Sequence, residues 1–521
     1  MISRSMFASN SFNFNFKEVT IIDNLSNEIL LEIFSFLDAN SCLDSCLVCK
    51  TWNELIGFSV TTMKKFKLKL DLERMVERND GTEYHRKHVN VDVFYNNVFD
   101  KITSFVDLFD LTQVRNLRIY GPQTVEIHEM VKFLSRMPLM KDLHFHPLFI
   151  FNTTGYDTSE SLNLPHLTNL LIDSVTCNAL KFFNIKQLSK ISVNGYRVPN
   201  EDDAKALGSF LEVTDSLKSL EINEHMFTRI FGKEIPPKFN FSLTAFEMSY
   251  HCKLDEKSGK NFNSFLKSQA PFLRYLNIFS MKSIPPTTFS IIFNYLQNLE
   301  KLCIDVSTVP LSRNFFVKPR PNTSMKILRL FENFPSEAAA AGFFGKVPNI
   351  EKIDLSVDIG NHIDFIAAFN PFLTELKISS ISSQISADTI FNNLRKLTIN
   401  FIKDSSAWTS LVTSCPSLET FIVNLFEKNT IMETEVGFLL QHQSLRNLSF
   451  DGEYEDIKII FDVLKINYGN LKTLKLHMSN TSQYGTTVNA KAEFDFPQTA
   501  SQWSVEEAES KFDQAWDVRS W

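Results

Sequence analysis

Glycine is scarce in this chain of 521 residues: there are 15, and neither G-x-G-x-x-G nor G-x-x-x-x-G-K-[ST] occurs. A backbone cradle for nucleotide phosphates is therefore not encoded. Cysteine is also sparse and odd in number, at seven. That argues against a disulfide framework and for a reducing compartment, cytoplasmic or nuclear. No apolar run approaches the roughly 18 residues of a membrane-crossing helix. The opening residues, MISRSMFASNSFNFNFKEV, alternate Phe with Ser and Asn. They form no apolar leader, and neither a membrane span nor a secretory signal is expected. Basic excess is missing too: 53 Lys and Arg face 60 Asp and Glu, a net charge of −7. A nucleic acid or an anionic membrane is thus not an expected partner. No Ser/His/Asp constellation, carboxylate-pair motif or cofactor loop stands out, so a non-catalytic protein without cofactor or metal is expected.

What the chain has in quantity is phenylalanine, 49 residues, and a recurring phrase. The phrase reads apolar-x-x-apolar-x-apolar: VRNLRI, MKDLHF, LTNLLI, LSKISV, LKSLEI, LTAFEM, LRYLNI, LEKLCI, MKILRL, IEKIDL, LTELKI, LRKLTI, LETFIV, LRNLSF and LKTLKL. First residues fall at 114, 140, 167, 188, 217, 243, 273, 299, 325, 350, 373, 394, 418, 445 and 471, with spacings of 21 to 30. The alternation predicts a short strand in each phrase. Between phrases lie helical patterns such as EIHEMVKFLSRM, TTFSIIFNYLQ and EDIKIIFDVLK. A strand–turn–helix unit cannot bury its apolar face alone, so such units stack, with phenylalanines filling the space between helices and sheet. The fold class expected is α/β.

With these phrases, residues 114–476 resemble a leucine-rich-repeat horseshoe of the helix-containing type, and weaker units begin at FKLKLDL (66–72) and HVNVDVF (88–94). The resemblance implies a solenoid of parallel inner strands and outer helices over 61–478. One feature departs from it: where the family carries Asn or Cys after the last repeat apolar, this chain has Pro122, Val175, His225, Ser307, Asp358 and Glu453. The asparagine ladder of the turns is absent.

The segment NLSNEILLEIFSFLDANSCLDSCLVCKTWNEL, residues 24–55, differs in kind. Ser26 is a candidate cap for a helix with Glu28 in its first turn. Ile29, Leu30, Ile33, Phe34 and Leu37 form a broad apolar stripe opposite Glu28, Glu32 and Ser35. After a break at DAN, a second helical pattern carries Leu43, Cys46 and Leu47, continued by Val48, Cys49, Trp52 and Leu55. The C-x₃-C-x₂-C spacing of Cys42, Cys46 and Cys49 also fits a cluster-binding run. The three sit in helical register with Leu43, Leu47 and Val48, without a glycine, which favours buried apolar thiols. A unit of about forty residues cannot bury enough surface to stand alone and must lean on the repeats or on another protein.

The spacing Leu-x-x-Glu-Ile-Leu-x-x-Ile-Phe-x-Phe-Leu-Asp … Leu-x-x-Cys-x-Val-Cys-Lys-x-Trp resembles the F-box, a three-helix module that docks on the Skp adaptor of cullin–RING ubiquitin ligases. The resemblance covers residues 22–60. It implies adaptor contacts at Leu25, Glu28, Ile29, Leu30, Ile33, Phe34 and Leu37 in the first helix, and at Leu43, Cys46, Val48, Cys49, Lys50 and Trp52 beyond. Ser26 stands where the family usually has proline.

A docking module joined to a repeat array implies a receptor: one end holds the ligase, the other a protein target of unknown identity. The alternative is a scaffold that binds the adaptor alone. Solvent-facing strand positions are the third, fifth and seventh of each phrase. Three adjacent repeats place Tyr275, Asn277 and Phe279 beside Lys301, Cys303 and Asp305, then Ile327, Arg329 and Phe331. This aromatic and charged composition marks the expected target-binding patch. His144 and His146 lie on the same face. Residues 1–18 and 479–500 are expected to be flexible, with a helix at 505–516 carrying the Ser504–Glu507 capping box and Phe512. No homo-oligomer is expected.

Overall fold

The computed structural model describes residues 25–71, 89–94, 111–121, 124–146, 150–152, 161–195, 197–234, 238–249, 252–253, 256–279, 281–282, 284–307, 320–358, 362–381, 385–402, 405–424, 433–452, 454–464, 470–481, 487–496 and 509–510. It falls into two units: Met1–Leu170 with Phe182–Lys186, and Leu171–Lys181 with Gln187–Trp521. The segment 1–18 lies outside the described residues, as does all of the 505–516 helix except residues 509–510.

In each of the fifteen phrases the strand begins at the third residue, from Asn116 to Thr473. The first, fourth and sixth residues are all buried, none more than 5% exposed. This is the period-2 rule with one residue of lead-in: the first apolar residue tucks beneath the sheet before the strand starts. One carbonyl sets each start. Arg274 and Tyr275 both donate their N–H to Thr244 O (2.9 and 3.0 Å), Glu300 and Lys301 to Arg274 O (2.8 and 2.9 Å), and Lys472 and Thr473 to Arg446 O (2.6 and 3.1 Å). The same shared carbonyl recurs through the second unit. It ties the start of each strand to the one before. Side chains add rungs: Asn298 Nδ2 donates to Pro271 O and Asn349 Nδ2 to Thr323 O, both at 2.9 Å.

The pairing is parallel and in register. In the first unit Lys67–Asp71 pairs with Asn90–Phe94, which pairs with Asn116–Tyr120, so the two weaker repeats join the ladder. In the second, Leu276, Leu302 and Leu328 lie side by side. Helices return the chain between strands, among them Ile127–Leu134, Pro286–Tyr295 and Tyr454–Leu464, at the three quoted patterns. The connections after the strands Asn169–Asp173 and Glu375–Ile381 depart from the expected helix. Residues 174–182 form a 3₁₀ segment, and the chain between Ile381 and Lys396 has no helix among its described residues. They follow the phrases at 167 and 373, the two with the shortest spacing, 21 residues. A strand and two turns leave no length for α-helical turns there.

Phenylalanines bridge the layers. Phe246, on a strand, lies 5.6 Å from Phe262 and 5.5 Å from Phe265 on helix Glu256–Gln269, and Phe262 lies 5.1 Å from Phe227 on helix Glu224–Phe231.

The expectation of a flexible stretch at 479–500 is corrected over its described residues, 479–481 and 487–496. Thr487–Asp495 is a strand, antiparallel to Thr473–Thr481, with Leu474 opposite Phe494 and Leu476 opposite Ala492. Phe494 is 2% exposed. The last repeat presents backbone groups that need a partner, and this hairpin strand supplies them.

Candidate functional site

The first candidate is the N-terminal module, in the first unit. Helix α1 spans Asn27–Phe36, α2 Ala39–Cys46, α3 Lys50–Phe58 and α4 Val60–Met63. Ser26 occupies the cap position of α1, but its side chain makes no cap hydrogen bond to the helix. Glu28 instead is held below the usual carboxylate range by its own backbone N–H and by the Ser26 hydroxyl. Asp38 caps α2, accepting the Ser41 N–H at 2.7 Å, which lowers its pKa.

The expected apolar stripe divides in two. Leu30 (5% exposed), Phe34 (1%) and Ile56 (1%) form a core against which Leu25, Leu37, Cys46, Trp52 and Leu55 pack. The Phe34 and Trp52 rings meet edge to face at 5.1 Å. Ile29 and Ile33 of α1, at 47% and 42%, point outward, joined by Phe36 at 82%. Residues 29, 33 and 36 stand at i, i+4 and i+7, one stripe of the helix. Leu47 (81%), Val48 (63%) and Phe58 (50%) are exposed as well. Leu47 was expected to continue the apolar face of α2. It lies outside because α2 closes there: Leu47 N–H bonds to Asp44 O at 3.0 Å and Val48 N–H to Ser45 O at 3.2 Å.

That turn also breaks the helical register of the three cysteines. Cys42 is buried, its Sγ 3.5 Å from Phe34 O; Cys46 is half-buried; Cys49 is exposed and caps α3, accepting the Trp52 N–H at 3.5 Å. Each thiol serves its own helix end or core contact. Glu28 and Lys50 are exposed, Lys50 3.7 Å from Glu54. The side chain of Leu43 lies outside the described residues.

Sequence reasoning missed Lys65. Its Nζ donates to Phe34 O and Ser35 O, both at 2.8 Å, and to Leu37 O. One ammonium thus serves the carbonyls at the C-terminus of α1, where a cation also suits the helix dipole. No local signal announced it; the lysine lies about thirty residues from its acceptors.

The second candidate is the sheet patch, within the second unit. Tyr275, Lys301 and Ile327 are register partners, as are Asn277, Cys303 and Arg329. Lys301 Nζ stands 4.6 Å over the Tyr275 ring and the Arg329 guanidinium 4.9 Å over Phe331. Arg329 also reaches Asp354 at 3.2 Å. Phe279 and Phe331 stack with centroids 4.4 Å apart. The expectation that all these positions face solvent is corrected: Asn277, Cys303 and Asp305 are buried at 6%, 3% and 8%. Their larger neighbours close over them. Asp305 accepts the Ser307 N–H at 2.8 Å.

Glu247, another residue missed, joins the patch. It accepts from Asn277 Nδ2 at 2.8 Å and from the Tyr275 hydroxyl at 3.4 Å. Burial, then the charge of its register partner Glu221, pushes its carboxyl up. Burial, then Cys303 and Glu247, raises the Tyr275 phenol well above its ordinary range.

In the first unit His144 and His146 occupy the same face, with His146 5.6 Å from Tyr120 and Tyr120 stacked on Phe94 at 4.7 Å. Burial, then Arg118, lowers the His144 pKa. Among the described residues no group of three His, Cys, Asp or Glu could hold a metal ion, and no helix is long and apolar enough to cross a membrane.

Residues 22–59 match the protein-family model described as F-box-like. No curated protein matches the chain. The chain therefore combines an F-box-like region, which implies binding to a Skp-type adaptor, with a mixed α/β body of parallel strands and helices.

Proposed function

We propose that this protein is the substrate-recognition subunit of a Skp–cullin–F-box ubiquitin ligase, a non-catalytic receptor of the cytoplasm or nucleus. Its F-box-like helices dock on the adaptor, and its strand–turn–helix units, read as a leucine-rich-repeat solenoid, bind a protein target for ubiquitination. The observation that carries the first half is the set of uncovered apolar side chains on a module whose own core is already closed. Ile33, Phe36, Leu47 and Val48 are between 42% and 82% exposed. Complete burial of such a side chain contributes about 1.5–3 kcal/mol, so covering several gives a partner a substantial driving force. The target half is supported by the patch around Phe279 and Phe331, with a cation over an aromatic ring at two places.

Catalysis in this reading is proximity: a captured target has a high effective concentration near the ubiquitin-charged enzyme. Affinity purification of the full chain with the ligase blocked, followed by mass spectrometry, tests both halves. The expected result is a Skp-type adaptor and cullin, together with a protein whose cellular half-life lengthens when this chain is removed. Recovery of bound proteins whose half-lives are unchanged would instead make it a scaffold.

A further inference from the structure

The third and fifth residues of each phrase share one face of the sheet, opposite the buried fourth and sixth. In the second unit the charges on that face are sorted by position. Glu221 and Glu247 are register partners, flanked in the same row by Ser192 and Asn277. Glu221 accepts from Ser192 Oγ, and Glu247 from Asn277 Nδ2 and the Tyr275 hydroxyl. Lys190 acts on Glu247 from two strands away, and among the described residues neither carboxylate enters an ion pair. Like charges side by side on neighbouring strands are destabilising, so this end of the face favours a cation.

From Lys301 onward the balance reverses. The two rows carry Lys301, Arg329, Lys352, Lys377 and Lys396 against Asp354 and Glu375. Arg329 lies 3.2 Å from Asp354 and Lys352 2.6 Å from Glu375, so both acids are taken. Lys377 and Lys396 are exposed, and among the described residues neither enters an ion pair. Between the two ends stands the stacked pair of Phe279 and Phe331, centred on the strand of Asp305.

Strand spacing turns this order into a ruler. Neighbouring strands are about 4.8 Å apart, and an extended chain advances about 3.3 Å per residue. Counted from the strand of Asp305, Lys377 is three strands on and Lys396 four, about 14 and 19 Å. Glu247 is two strands back and Glu221 three, about 10 and 14 Å. The lysines thus meet side chains about four to six positions from a residue seated on the aromatic pair. The glutamates meet those about three to four positions to the other side.

We propose that the target presents an extended segment in three parts to this face. A large apolar or aromatic residue sits on Phe279 and Phe331, carboxylates lie over Lys377 and Lys396, and a lysine or arginine reaches Glu221 and Glu247. The whole chain carries −7 and repels acidic partners at long range, so the selection is made locally by this order of charges. That the segment belongs to a protein marked for ubiquitination rests on the receptor reading above; the sorted charges do not.

The test is fluorescence anisotropy of the full chain, co-purified with its adaptor, against a labelled synthetic peptide of glycine and serine. The peptide carries one arginine, a phenylalanine about four positions later and glutamates about four to six positions beyond that, and is made in both chain directions. Saturable binding in at least one direction is expected. It should weaken by about tenfold or more when the glutamates become lysines or the phenylalanine becomes serine. Lys377→Glu with Lys396→Glu should reverse the preference toward the lysine peptide. Lys257→Glu with Lys260→Glu, the same charge change at exposed positions of helix Glu256–Gln269, should keep the original preference. No saturable binding, equal binding of the glutamate and lysine peptides, or an unchanged preference in the Lys377 and Lys396 variant would overturn the proposal. Adaptor co-purification, read on the same samples, reports on the receptor reading separately from these results.

Discussion

Phe279 and Phe331 stack at 4.4 Å although the strand carrying Asp305 runs between theirs. Two strand spacings amount to about 9.5 Å, so the rings lean toward each other over Asp305. Asp305 lies beneath them at 8% exposure. The pair is therefore both a lid on a buried carboxylate and the aromatic centre of the proposed target patch. Phe279→Ala with Phe331→Asp is expected to abolish target capture in a pull-down while adaptor binding persists. A double-mutant cycle of the two alanine variants, read by urea unfolding, should give a coupling of about 0.5–1.5 kcal/mol. Target capture by the Phe279→Ala, Phe331→Asp variant at wild-type level would remove the patch from the proposal.

The module separates core from contact. Leu30→Ala empties a buried site and should destabilise the helices by about 2–5 kcal/mol, seen as lost hydrogen-exchange protection in α1. Ile33→Asp, at 42% exposure, should leave that protection intact and abolish co-purification of the adaptor. If Ile33→Asp and Phe36→Asp together still bring down the adaptor, docking uses another surface.

Lys65 holds the end of α1 by three carbonyls. Lys65→Met keeps the aliphatic stem but withdraws the charged donor. A loss of roughly 1.5–3 kcal/mol is expected, the scale of hydrogen bonds to a charged group. Lys65→Arg should recover part of it, and thermal unfolding of the three proteins ranks them.

Asp173 carries a pH dependence. Its Oδ1 accepts from Val175 N–H at 3.0 Å and Ser174 Oγ at 3.3 Å, whereas Oδ2 is buried without a hydrogen-bond partner among the described residues. Burial pushes the carboxyl up to about 6 from an ordinary 3.8. The folded value lies above the unfolded one, so the contribution to stability is complete below 3.8 and is lost as pH rises through about 6. At about 1.4 kcal/mol per pH unit of separation, the difference is on the order of 3 kcal/mol. Asp173→Asn should be the more stable protein at neutral pH, with its advantage shrinking on acidification; identical pH profiles would refute the assignment. Gly195 stands against the same carboxylate at φ +113, where an added Cβ would lie 2.4 Å from Oδ2. Gly195→Ala should therefore cost stability at every pH.

The repeat was legible because its signal is local and recurs. Leu273, Leu276 and Ile278 announce a strand with one residue of lead-in, and fifteen such phrases set both number and register. The 21-residue spacings at 167 and 373 already held the information that no α-helix fits there. In the N-terminal segment the pattern identified the helices but not their orientation. Leu30 and Ile33 are equally apolar in sequence, yet one is core and the other surface.

The sequence alone determined the strand positions, the buried residues of each phrase and the F-box-like segment, since each depends on side-chain periodicity within a few residues. Only the tertiary structure decided which apolar side chains remain uncovered, that Lys65 closes α1, and that Phe279 meets Phe331. Those depend on pairings between residues some twenty-five to fifty positions apart, which come together only when the repeats stack and the helices pack.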